Sequence, residues 1–74
     1  MSREKEMNIL KCWLFRNAEV KWKKSPEYVN ELFAKLKIYD YVEESYELLH
    51  VSSYESALNE VEAIAKANGV DVYA

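Results

Sequence analysis

Few residues in this chain could do chemistry, and they are scattered. His50 is its one histidine and Cys12 its one cysteine. A histidine can serve as a general base or metal ligand. His50, however, falls at the end of a helical segment, where a protonated imidazole is favoured by the helix dipole and can bond the last carbonyls. A metal site would need further His or Cys ligands, and Cys12 is the only other soft one. Cys12 lies near Arg16, but a structural thiol is the plainer reading than a reactive one. Glu43, Glu44 and Glu47 could suggest paired carboxylates, yet carboxylates clustered on one helix face usually form a solvated surface. Nucleophile elbows and anion cradles need glycine where the backbone comes close, and Gly69 is the only glycine. The expectation is a protein without catalytic residues, cofactor or metal.

The elements that carry these residues read as four helices. With 74 residues, half of them apolar and 14% aromatic, the chain has enough apolar mass for one small core. A single Gly and a single Pro leave little material for tight turns. The first helix runs from about Arg3 to Lys23. Its polar residues Asn8, Cys12, Arg16, Glu19 and Lys23 share one strip, and the rest of its girth reads as apolar. It is therefore expected either to sit at the centre or to pair with another chain, with Trp13, Phe15, Val20 and Trp22 as the self-association residues. The second helix opens on Ser25 as N-cap and Pro26 at its first position, and buries Val29, Leu32, Phe33 and Leu36. Asp40 with Glu43 three residues later reads as a capping box for the third, whose inner stripe is Tyr39, Val42, Tyr46 and Leu49. Ser52 with Glu55 opens the fourth, which buries Tyr54, Ala57, Leu58, Val61, Ile64 and Ala65 and closes at Asn68 and Gly69. The predicted fold is all-α, a compact bundle of four helices with an apolar first helix. It forms one domain over residues 1–74, with a loose tail at 70–74.

Charge is divided along the chain. Residues 1–24 carry seven basic against three acidic groups, a net of +4; residues 25–74 carry three against ten, a net of −7. An acidic stretch repels phosphate and attracts basic protein surfaces. In the third helix Tyr41 and Leu48 fall away from the inner stripe, flanked by Asp40, Glu44 and Glu47. An apolar anchor with a charged rim is the form of a protein-binding spot, and these five residues are the expected partner site. The expected partner is another, basic protein, and the chain itself a homodimer or part of a hetero-oligomer. Nucleic acid is the disfavoured partner, because a recognition helix bearing Asp40, Glu43, Glu44 and Glu47 cannot pass a phosphate backbone. If DNA is bound, the surface is Lys11, Arg16, Lys21, Lys23 and Lys24, as in a small transcriptional regulator. A third reading is a phage-type inhibitor whose carboxylates imitate nucleic acid. No apolar run approaches the length of a membrane span, and no signal-like segment opens the chain, so a cytoplasmic protein is expected.

Glu31-Leu32-Phe33, Tyr41-Val42, Tyr46-Glu47-Leu48-Leu49-His50 and Ser53-Tyr54 together resemble a family of short bacterial proteins of unknown function. That family has an apolar helix, an E-L-F/L helix, a Tyr-x-x-Leu-His motif and a closing amphipathic helix. The likeness covers roughly residues 20–69; Val51 departs from the hydroxyl residue that the family places after the histidine. Genes of that family often neighbour one for a protein resembling ADP-ribosyltransferases. The resemblance implies an antitoxin-like or accessory role beside a toxin-like enzyme, without catalysis of its own.

Overall fold

Local sequence signals set most of the helix ends in the computed structural model, which describes residues 3–74. Five helices follow one another: α1 (Arg3–Trp22), α2 (Pro26–Lys35), α3 (Ile38–Glu44), α4 (Tyr46–Val51) and α5 (Tyr54–Ala67). Ser25 caps α2, its Oγ accepting the Tyr28 N–H at 3.1 Å, with Pro26 at the first position where a missing N–H costs nothing. Ser53 caps α5 by accepting the Ser56 N–H at 3.1 Å. The cap therefore falls one residue later than the expected Ser52, whose hydroxyl turns back to the Leu48 carbonyl at 3.2 Å. Gly69, at φ +78°, ends α5 in a Schellman turn: Val70 N–H bonds Ala65 O and Gly69 N–H bonds Lys66 O. Where glycine is lacking, lysine takes the left-handed position, at Lys23 after α1 (φ 57°) and at Lys37 after α2 (φ 54°).

The expected third helix is two helices. It starts at Ile38, so Asp40 sits inside the first turn and caps nothing. Ser45, at φ −106° and ψ 14°, both closes α3 and opens α4. Serine is a poor interior residue for a helix because its hydroxyl competes for nearby groups. The interruption preserves the inner face, since Val42, Tyr46 and Leu49 are all buried.

Helix α1 packs against α2, α3 and α5, and α4 bridges α3 and α5. Its buried residues are Leu10, Leu14, Ala18 and Trp22. That is one stripe at four-residue spacing, not the apolar girth expected: Ile9 and Val20 face outward, beside Cys12 and Arg16 of the expected polar strip. Phe33 is the hub of the core, with edge-to-face contacts to Phe15 (5.9 Å), Trp22 (6.3 Å) and Tyr39 (5.6 Å). Burying such a ring stabilises by roughly 1.5–3 kcal/mol, and each aromatic pair adds about 0.5–1.5 kcal/mol. The radius of gyration is 11.7 Å, close to the ~11 Å of a compact chain of this length.

The tail is docked, not loose. Val72 is only 4% exposed. The Tyr73 hydroxyl donates to Glu62 Oε2 at 2.5 Å, and the Lys24 ammonium donates to the Ala74 carbonyl at 2.5 Å. The same Glu62 oxygen accepts Trp22 Nε1–H at 2.8 Å and faces Lys21 Nζ at 3.2 Å. Burial pushes the Glu62 carboxyl up, but Tyr73, Trp22 and Lys21 together outweigh it and hold the group below its ordinary 4.5. The bond to Glu62 raises the Tyr73 phenol, and raises Lys21 despite some desolvation. One carboxylate thus ties α1, α5 and the tail together.

Candidate interaction surface

With Ile38, Val42, Tyr46 and Leu49 turned inward, α3 and α4 must present Asp40, Glu43, Glu44, Glu47, Leu48 and Val51 to solvent. Leu48 is 72% exposed and Val51 76%. They stand three residues apart, so they share a face of the short helix α4. Tyr41 differs from expectation: it is half-buried and packs on the core at the α3–α5 edge. Burial and then Glu60 raise its phenol, while Ser45 lowers it. The apolar centre of the surface is therefore Leu48 with Val51, and Tyr41 borders it. Val51 was not among the expected site residues, although its three-residue spacing from Leu48 places it on the same helix face.

The carboxylates divide into two sets. Glu43 pairs with Lys11 at 2.6 Å, Glu47 with Arg3 at 2.7 Å and Glu62 with Lys21 at 3.2 Å. Each pair joins the basic first helix to the acidic remainder, so the charge division seen along the chain is partly spent within the fold. Among the described residues Asp40, Glu44, Glu55 and Glu60 have no cation within 4.0 Å. The Arg3–Glu47 pair is solvent-exposed on both sides, and such pairs are worth about 0–1 kcal/mol, so an incoming cation can displace Arg3 cheaply. Arg3 also lies over the Tyr46 ring at 5.2 Å, and the Tyr46 hydroxyl donates to Glu6 at 3.0 Å. Burial first, and Glu6 second, raise the Tyr46 phenol.

The four self-association residues do not form one outer face. Trp22 is 3% exposed and belongs to the core, where its indole anchors Glu62. Phe15 is half-buried against Phe33. Trp13 is half-buried and meets Tyr54 edge-on at 5.2 Å. Only Val20, 76% exposed, stands clear. The basic surface of the DNA-binding alternative is also reduced, since Lys11 and Lys21 are turned to carboxylates and Lys24 to the tail. Cys12 is exposed. His50 lies in α4, and its side chain is outside those described. Among the described residues no three or more of His, Cys, Asp and Glu are grouped to hold a metal ion, and no helix is long and apolar enough to cross a membrane.

Residues 12–68, well over half of the chain, match the model of a family described as "Protein of unknown function (DUF3791)". The matched span contains all of α2 to α5, and with them Asp40, Glu44, Glu47, Leu48 and Val51. No curated protein and no solved structure matches.

Proposed function

The chain belongs to the DUF3791 family, and from that premise we propose that it is a non-catalytic protein-binding module. Its binding face is the outward side of α3 and α4: Leu48 and Val51 as anchors, with Asp40, Glu44 and Glu47 as the charged rim and Tyr41 at the edge. The observation that carries this reading is the pair of aliphatic side chains, each about three-quarters exposed, beside Asp40 and Glu44, which have no cation within 4.0 Å, and Glu47, whose pair with Arg3 is open to solvent. Isolated exposed aliphatics are ordinary on any protein. Two on one short helix with an acidic border only partly neutralised within the fold favour a basic partner with an apolar socket.

The partner we propose is a toxin-like enzyme related to ADP-ribosyltransferases, with this chain acting as its antitoxin-like or accessory subunit in the cytoplasm. An enzyme that binds a dinucleotide phosphate needs basic groups around its cleft, and an acidic helix can occupy that cleft without being a substrate. The test is recovery of the tagged protein from its native host, alongside a Glu44→Lys, Glu47→Lys variant of unchanged helix content. We expect one basic enzyme to co-purify with the natural chain and to be lost from the variant. Equal recovery by both chains would overturn the assignment of this face.

A further inference from the structure

We infer that the groove between α1 and α5 docks a second copy of this chain, about a two-fold axis passing at Asn17. This inference does not depend on the acidic face of α3 and α4. The groove is lined by Trp13, Asn17, Val20 and Lys21 on one side and by Glu55 and Leu58 on the other. The two helices run in the same direction along it: Trp13 meets Tyr54 near one end, and Trp22 bonds Glu62 near the other.

This parallel register makes the groove complementary to itself when reversed. Glu55 stands level with the Trp13 turn, and Lys21 lies about 10 Å further along, at 1.5 Å per residue. Within one chain they do not meet. Glu55 has no cation within 4.0 Å, and Lys21 reaches Glu62 at 3.2 Å with its side chain still 46% exposed. Trp13 and Lys21 lie four residues either side of Asn17, and Val20 three residues after it. A two-fold axis at Asn17 therefore sets Lys21 of one copy opposite Glu55 of the other. It also sets the exposed Val20 of each copy on the half-buried Trp13 of the other. Each contact is made twice, as an isologous interface requires. The groove supplies both members of an apolar pair and both members of a charge pair, so the occupant it fits is its own copy.

The test uses the full chain. Sedimentation should show a concentration-dependent dimer. Val20→Arg, a change at an exposed position that leaves helix content intact, should weaken it at least about tenfold, or 1.4 kcal/mol. Asn17→Cys, made together with Cys12→Ser, should close a disulfide between copies on mild oxidation, because a residue on the axis faces itself. Asn30→Cys, exposed on α2, should not. A chain that stays monomeric at millimolar concentration overturns the inference. So does a dimer that survives Val20→Arg and is not cross-linked through position 17.

Discussion

Replacing Glu62 by Gln keeps the shape of the side chain and removes the charge on which α1, α5 and the tail converge. Its Oε2 accepts from Trp22 at 2.8 Å and Tyr73 at 2.5 Å and faces Lys21 at 3.2 Å. A hydrogen bond to a charged acceptor contributes about 1.5–3 kcal/mol, against about 0.5–1.5 for a neutral one. Two such bonds weakened therefore cost about 2 kcal/mol. Lys21, with nearly half of its side chain in water, adds little. In a domain of this size that loss lowers Tm by about 8–16 °C. Acid supplies the sign. The Glu62 carboxyl lies below its ordinary 4.5 in the folded chain. Its stabilisation is fully present above the unfolded value and disappears as pH falls through the folded one. The gap between natural chain and Glu62→Gln, measured by urea unfolding followed in the far ultraviolet, should be wide at neutral pH and narrow in acid. A gap of the same width at both would refute the reasoning.

Four further substitutions test the fold. Phe33→Ala removes the ring on which Phe15, Trp22 and Tyr39 converge and should cost about 3–5 kcal/mol; set against a total of about 4–11 kcal/mol for 74 residues, that loss should lower the thermal midpoint sharply or abolish the cooperative transition, and an unchanged midpoint would count against Phe33 as the hub. Lys37→Gly should stabilise by about 0.5–1 kcal/mol, because relief of a left-handed lysine, worth about 1–2, exceeds the entropy glycine brings to the unfolded chain; an unchanged or lower midpoint in urea would count against that balance. Ser53→Ala should cost about 1 kcal/mol and Ser52→Ala much less, since only Ser53 caps α5; equal losses in the two unfolding curves would place the cap wrongly.

Helix content and the start of α2 were legible because their signals are local: a serine, a proline and an apolar repeat within one segment. The break at Ser45 was hidden because Val42, Tyr46 and Leu49 keep helical spacing straight across it. The buried stripe of α1 was misread for a geometric reason. Leu10, Leu14, Ala18 and Trp22 recur every four residues, and each step advances about 40° around the axis. The stripe therefore winds around the helix, and a flat projection splits it between two sides. Trp22 was consequently given to an outer face when it belongs inside. The docked tail depends on contacts far apart in sequence, Tyr73 to Glu62 and Lys24 to Ala74, and no pattern within residues 70–74 announces them. Of the candidate surface, Asp40, Glu44, Glu47 and Leu48 were readable from their spacing. The loss of Tyr41 to the core edge and the internal pairing of Glu43, Glu47 and Glu62 needed the packed arrangement.

The most direct measurement is the affinity of the purified chain for its co-purifying enzyme, by calorimetry at two salt concentrations, for the natural chain and for Leu48→Asp. Leu48 is 72% exposed, so its replacement leaves the core intact, while loss of a central anchor should cost about 2 kcal/mol or more, roughly thirtyfold in Kd. Binding by the natural chain should weaken as salt rises, because Asp40, Glu44 and Glu47 meet cations. A Kd unmoved by both the substitution and the salt would show that α3 and α4 are plain solvated surface.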